Sequence, residues 1–176
     1  MAYDAGMLSA VLSEVRALCG LGRVEKVYQP SSDEIDLLIR AEKGSHRLCI
    51  QLGSNAPRLS LTRVGKENPA AAPMFCMLMR KHLNGARLIS VLQVGFERVA
   101  ELHFLSRDEM GFEVERILVA EIMGKYSNLM LLDGKRKIIS ALKQICIRGL
   151  LRANSFSALV KSLATSCEAA PNFSFS

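Results

Sequence analysis

The residues best suited to chemistry lie in two short segments between apolar runs that we predict to be strands. In the first, residues 95–98, a glycine separates two β-rich runs, as is typical of a bulge or tight corner. Glu97 and Arg98 follow this glycine. A carboxylate beside an arginine can read a base edge, because the carboxylate accepts from an amino group while the guanidinium donates to an acceptor or a phosphate. The simpler interpretation is an exposed pair of charges.

The second segment, residues 121–128, joins two apolar strands through a polar loop. Lys125 can meet a phosphate and Tyr126 can stack on a base. Ser127 and Asn128 add hydrogen-bonding side chains. A plain β-turn is the alternative, and a recognition loop is the functional interpretation.

A third group of charges closes a predicted helix at residues 73–83. This helix is apolar almost all round, and Arg80, Lys81 and His82 crowd its last turn, with Arg87 shortly after it. Cations at a helix C-terminus complement the helix dipole, so a structural role is one explanation. The other is a fixed cationic cluster that faces phosphates.

Patterns for catalysis and metal binding are scarce. His46, His82 and His103 are isolated, without an HExxH pair, and the five cysteines include no CxxC pair. Spacing alone assembles no nucleophile–base pair and no pair of catalytic carboxylates. We therefore expect no catalytic residue, no metal site and no cofactor in this chain.

Hydrophobic periodicity predicts the elements that position these residues. Residues 5–19 have helical spacing, with Asp4 as the N-cap and Gly20 at the C′ position. Alternation with a period of two then predicts strands, which pair antiparallel because the connections are short. The fold class is therefore α+β, with the second helix at 73–83 and the strands at 24–28, 35–39, 48–52, 59–61, 87–94, 98–105, 112–122, 129–132 and 137–142.

Composition bounds the class of protein. The chain has 176 residues, 49% of them hydrophobic, which suffices for one core. Its 23 Lys and Arg against 17 Asp and Glu give a formal charge of +6, which favours polyanionic partners. No apolar run approaches the roughly 20 residues of a membrane span. Unpaired cysteines without a signal segment favour the cytoplasm.

Three stretches resemble a known family: PMFCMLMRKHLNGARL at 73–88, VGFERV at 94–99 and EIMGKYSNLMLLD at 121–133. They are similar to the N-terminal domain of NFACT proteins, whose bacterial members are RqcH-type ribosome quality-control factors, also named fibronectin-binding proteins. The resemblance implies an antiparallel β-sandwich flanked by helices, similar to the N-terminal domain of formamidopyrimidine-type DNA glycosylases. It also implies binding to tRNA and to a large ribosomal subunit that carries stalled peptidyl-tRNA.

Two departures from the family pattern matter. The family usually has Asp-Arg at the corner, a pair implicated in tRNA binding, whereas this chain has Glu97 and Arg98. The resemblance covers residues 3–143, so we expect that body to be followed by a divergent tail at 144–176, with a short helix and then a disordered end. Because the remaining family domains are missing, we do not expect this chain alone to extend nascent chains.

Two other functions remain as alternatives. A DNA glycosylase follows from the fold relationship, but glycosylases of that type use an N-terminal proline amine, and this sequence begins Met1-Ala2-Tyr3. A fibronectin-binding adhesin follows from the older family name. The unpaired cysteines and the lack of a signal segment oppose the adhesin.

Overall fold

A computed structural model of the protein describes residues 3–143, so the predicted tail at 144–176 lies outside the described residues. The chain forms two α-helices, one short 3₁₀ turn and nine strands within this range. In chain order, the elements are α1 (Ala5–Cys19), β1 (Arg23–Ser31), β2 (Glu34–Ala41), β3 (Gly44–Gln51), β4 (Arg58–Thr62), α2 (Met74–Leu83), β5 (Arg87–Gln93), β6 (Val99–Arg107), β7 (Glu113–Glu121), the 3₁₀ turn (Gly124–Tyr126), β8 (Asn128–Asp133) and β9 (Ile138–Ala141).

All nine strands belong to one sheet, in the order β4-β3-β2-β1-β5-β6-β7-β8-β9. Every neighbouring pair is antiparallel. Short connections predict this for all pairs except β1 with β5, which are separated by β2, β3, β4 and α2. The α+β class is therefore confirmed. The predicted sandwich differs in one respect, because the strands form a single continuous sheet rather than two separate ones.

The two ends of this sheet approach each other. Lys143, just after β9, donates from Nζ to the carbonyl of Leu52, just after β3, at 2.7 Å. It also pairs with Asp33 at 3.0 Å. Leu48 of β3 and Leu118 of β7 belong to the same buried cluster. The sheet is thus strongly bent, and one hydrophobic core joins its two halves.

Helix α1 lies where its periodicity predicts. The Asp4 carboxylate accepts from the backbone N–H of Met7 at 2.7 Å, which satisfies a free donor of the first turn. Its buried face consists of Leu8, Leu12, Val15 and Cys19. The end of the helix differs from expectation, because Gly20 has φ −55° and the left-handed residue is Leu21, with φ 60°.

Helix α2 begins after Pro73, whose fixed φ suits a helix start. Phe75, Cys76, Met79 and Leu83 face the core. Met74 and Met77 are exposed. One face of the helix therefore remains in solvent although its sequence is apolar almost all round.

Candidate nucleic-acid interface

The predicted corner is the turn between β5 and β6. The backbone N–H of Val94 donates to the carbonyl of Val99 at 3.0 Å, and Glu97 N–H donates back to the Val94 carbonyl at 3.1 Å. Gly95 takes φ 55°, a left-handed conformation that glycine adopts without strain. Glu97 and Arg98 are exposed. Within residues 3–143, neither of these two side chains forms an ion pair, so both charges are available to a ligand.

Two sets of hydrogen bonds fix this turn in place. The side-chain amide of Gln93 donates to the carbonyl of Glu97 at 2.8 Å and to that of Ala5 at 3.0 Å. The backbone N–H of Ile122 donates to the carbonyl of Arg98 at 2.8 Å. The turn is therefore tied to the start of α1 and to the segment that follows β7.

The segment after β7 contains the predicted recognition loop. Ser127 is fully buried, and its hydroxyl accepts from Met123 N–H at 2.8 Å and donates to the Gly124 carbonyl at 2.7 Å. Asn128 is also buried. Its side chain accepts from the N–H groups of Leu129 and Lys143 and donates to the Lys143 carbonyl, each at 2.9 Å.

These contacts give Ser127 and Asn128 a role that the sequence did not indicate. Both were predicted to offer hydrogen bonds to a ligand, yet their polar atoms are engaged inside the protein. They close the loop and hold it against the strand end. The exposed residues of this loop are Lys125 and Tyr126.

Lys125 and Tyr126 form a cation–π contact, with Nζ 5.0 Å from the centroid of the ring. The Tyr126 side chain remains 56% exposed, and Phe96 in the neighbouring turn is 78% exposed. We call Phe96, Arg98, Lys125 and Tyr126 the turn–loop end. Phe96 was not predicted as a contact residue, although a large aromatic residue beside a turn glycine can indicate an exposed ring.

The third predicted group is divided: Lys81 and His82 line one cleft with Arg107 and Arg116, whereas Arg80 and Arg87 do not line it. Arg80 donates from Nε to the Val27 carbonyl at 2.9 Å, and Lys81 pairs with Glu109 at 2.8 Å. His82 accepts from Arg116. Burial, followed by the charge of Arg116, lowers the pKa of His82, which therefore favours the neutral form.

Arg87 is the member of that group that is exposed without an ion pair in the described part of the chain. It begins β5, whereas Gln93 ends the same strand beside the turn. At about 3.3 Å per residue, these positions are roughly 20 Å apart. Arg87 thus lies at the opposite end of the β5–β6 hairpin from Arg98.

One buried group has residue types that could hold a metal ion. Single ligand atoms of Glu34, Asp36 and Cys49 lie within 4.8 Å of one another. Lys66 pairs with Glu34, and Arg47 pairs with Asp36, so both carboxylates have cationic partners. Burial and then the nearby carboxylates raise the pKa of the Cys49 thiol far above its usual value. Both carboxylates are therefore paired within the protein, although the buried Oδ1 atom of Asp36 has no hydrogen-bond partner among the described residues.

Comparison with known proteins identifies the family. Residues 4–152 match the family described as NFACT N-terminal and middle domains. The chain belongs to the NFACT family. The Rqc2 homolog RqcH of Streptococcus pneumoniae is 36% identical over 146 residues, which cover 82% of this chain and 26% of that protein. The human ribosome quality control complex subunit NEMF is 32% identical over 137 residues, covering 77% of this chain and 12% of NEMF.

A solved structure extends the likeness to the fold of this NFACT chain. The N-terminal domain of fibronectin-binding protein PavA from Streptococcus pneumoniae superposes with a TM-score of 0.81 and 34% identity, covering 88% of this chain and 57% of that one. The resemblance that the sequence motifs carry is thus confirmed. The chain corresponds to an N-terminal domain and spans about a quarter or less of the curated relatives it matches.

The NFACT relatives of this chain are ribosome quality-control factors. Of the helices in residues 3–143, neither is long and apolar enough to cross a membrane.

Proposed function

We propose that this chain is the RNA-binding N-terminal module of a cytoplasmic ribosome quality-control factor. In this proposal it contacts tRNA and a large ribosomal subunit that carries stalled peptidyl-tRNA. The observation that carries the proposal is the hydrogen bond between Ile122 N–H and the Arg98 carbonyl, at 2.8 Å. It places the β5–β6 turn beside the loop after β7, and so brings two exposed aromatic rings and two cations to one end of the sheet.

The chemistry of this end suits single-stranded RNA. Unpaired bases stack on aromatic side chains and on guanidinium planes, while cations meet the phosphates between them. Phe96 and Tyr126 supply the rings, and Arg98 and Lys125 supply the charges. Glu97 adds an acceptor for an exocyclic amino group, which can distinguish one base from another.

The same geometry divides the predicted residues into two roles. Arg98, Glu97, Lys125 and Tyr126 are the proposed contact residues. Ser127 and Asn128 position them, because their buried hydrogen bonds fix where the loop leaves β7 and where β8 begins.

The test is binding of labelled tRNA to the purified 176-residue chain and to Tyr126→Ala. Loss of one stacking ring should weaken binding by about 1–3 kcal/mol, or roughly five- to 150-fold. Lys135→Ala, which removes an exposed cation from the turn between β8 and β9, is the control and should bind normally. Equal affinities for all three proteins would remove the turn–loop end from the interface.

A second candidate is fibronectin binding, favoured by the name of the similar PavA structure. Surface plasmon resonance with immobilised fibronectin compares the two functions on one preparation. Saturable binding to fibronectin without binding to tRNA would replace the proposed function by this second one.

A further inference from the structure

Three arginines lie in register across three adjacent strands. Arg23 of β1 is the direct partner of Arg40 on β2 and of Arg87 on β5. Neighbouring strands lie about 4.8 Å apart, so the row spans roughly 10 Å. We call Arg40, Arg23 and Arg87 the arginine row.

Arg107 extends the charge of this row on β6. Arg87 is the partner of Leu105, and Arg107 follows two residues later, on the same face of the sheet. Arg23, Arg87 and Arg107 also line one groove, together with Asn84 and one acidic residue, Glu113.

The protein neutralises the row only in part. Glu25 pairs with Arg40 at 3.4 Å, and Glu113 stands opposite Arg107 in register. Within residues 3–143, Arg23, Arg87 and Arg107 form no ion pair, and all three are exposed. Like charges directly opposite each other on neighbouring strands destabilise a sheet.

Two other arginines in residues 3–143 are compensated by carboxylates. Arg47 pairs with Asp36 at 3.2 Å, and Arg136 pairs with Glu101. Arg23 and Arg87 have no such partner within residues 3–143, and strand register places them directly opposite each other. A guanidinium fork matches the oxygens of a phosphate, so a chain of phosphates can supply the missing anions.

We infer that the arginine row binds the sugar–phosphate backbone of RNA as a second contact, roughly 20 Å from the turn–loop end, a separation set by the length of β5. The inference rests on the proposed function only for the identity of the ligand. The row adds affinity without reading sequence, because phosphate contacts position an RNA and base contacts specify it. Two contacts on one RNA reinforce each other, since the second forms at a high effective concentration.

The test is the salt dependence of tRNA binding by the 176-residue chain. Each phosphate contact contributes about 0.7–0.9 to the slope of log K against log salt. For the double variant Arg23→Gln/Arg87→Gln, we expect that slope to be shallower by about 1.4–1.8, because two guanidinium groups no longer neutralise phosphates. A matched double variant, Arg58→Gln/Lys135→Gln, removes two exposed cations elsewhere and should leave the slope within error of the parent.

Thermal melting distinguishes weaker RNA binding from damage to the fold. Because the substitutions relieve repulsion between directly opposed charges, Arg23→Gln/Arg87→Gln should melt at the parent temperature or above it. A charge-retaining variant, Arg87→Lys, should keep most of the parent slope, because the slope depends on the number of charges that neutralise phosphates and not on guanidinium geometry. An unchanged slope in the double glutamine variant, or the same reduction in the matched control, would overturn the inference.

The two proposals fail separately. If Arg23→Gln/Arg87→Gln behaves like the parent while Tyr126→Ala weakens binding, the arginine row is not a contact and the proposed function stands. If the row variant reduces the slope while Tyr126→Ala binds normally, the row is a phosphate contact and the turn–loop end is not. If an acidic polypeptide, polyglutamate, competes with tRNA for the row as well as RNA does at equal charge concentration, the row is a general anion site, which would overturn its assignment to the phosphate backbone.

Discussion

The two ends of the β5–β6 hairpin carry charge in different ways. The turn–loop end places cations beside exposed aromatic rings on connecting segments, held by hydrogen bonds from Gln93 and Ile122. The arginine row places cations on regular strands, with Arg23 directly opposite Arg87. Connecting segments can present chemically varied groups, whereas strand register repeats one charge at a fixed spacing. This difference favours base recognition at the first end and phosphate binding at the second.

The largest expected effect comes from Asn128, whose hydrogen bonds hold the loop of the turn–loop end in place. Asn128→Ala removes three hydrogen bonds, one buried and two part-buried, and leaves the N–H groups of Leu129 and Lys143 without their side-chain acceptor. Each unsatisfied buried group costs about 1–3 kcal/mol, so we expect a loss of roughly 2–5 kcal/mol in the free energy of unfolding. Urea denaturation measures this loss. Tyr126→Ala, in the same loop but exposed, should unfold like the parent; equal stability of the two variants would contradict the structural role of Asn128.

The next largest expected effect is the loss of tRNA affinity when the Arg98 side chain is removed. Arg98→Ala should lower tRNA affinity by about tenfold or more, because a hydrogen bond to a charged group contributes roughly 1.5–3 kcal/mol. Its melting temperature should not change, since the side chain is exposed and forms no ion pair within residues 3–143. Arg98→Lys keeps the charge without the planar fork, and we expect it to bind nearly as weakly as alanine. Full rescue by lysine would make Arg98 a simple phosphate contact, like those of the arginine row.

A smaller effect on stability is expected from a change in the backbone conformation of the β5–β6 turn. Gly95→Ala places a side chain at φ 55°, although a Cβ there meets no atom within 4 Å. Without a clash, the cost is the left-handed conformation alone, about 1–2 kcal/mol. Chemical denaturation gives the stability, and tRNA binding shows whether Phe96 and Arg98 move with the turn. Gly95→Ala with unchanged stability would show that the turn adopts another conformation at no cost.

The smallest expected effect is a change of stability with pH, caused by a residue midway between the two ends of the hairpin. His103 on β6 lies 2.7 Å from Glu115 and 3.3 Å from Glu101. Hydrogen bonding to Glu101 and Glu115 raises the pKa of His103 against the opposing effect of burial. A raised folded-state pKa stabilises the fold fully below the usual value of 6.5, and this contribution disappears as the pH rises through the folded-state pKa.

The parent protein should therefore lose stability as the pH rises from 6.5, and His103→Gln should lose less over the same range. Denaturation midpoints measured across this range test the sign. The affinity for tRNA at fixed salt should change equally in both proteins, because His103 belongs to neither end. A parallel loss of stability in both proteins would show that other groups titrate instead.

Local patterns account for much of the fold. The spacing of Leu8, Leu12 and Val15 and the cap at Asp4 suffice to predict α1 and its buried face. Strand alternation and short connections likewise predict antiparallel pairing. The bend that joins the two halves of the sheet could not be predicted, because it depends on contacts such as that between Lys143 and Leu52.

The candidate sites likewise contain some residues that local sequence patterns predict and others that they do not. Lys125 and Tyr126 could be predicted because a polar loop between apolar strands is usually exposed. The role of Asn128 depends on backbone groups of Lys143, beyond the next strand, which no local pattern reveals. Arg23 and Arg87 are far apart in the sequence, and the pairing of β1 with β5 brings them together.

Ultraviolet cross-linking of tRNA to the 176-residue chain, with mass spectrometry of the cross-linked peptides, tests most directly whether the turn–loop end binds RNA bases. Three exposed aromatic residues provide an internal control: Phe96 and Tyr126 lie at the turn–loop end, and Phe112, 65% exposed, lies near Arg107 at the other. We expect cross-links at Phe96 and Tyr126 in excess of those at Phe112, because stacked bases react and bases beside phosphate contacts do not. Cross-links at Phe112 with none at Phe96 or Tyr126 would contradict base recognition at the turn–loop end.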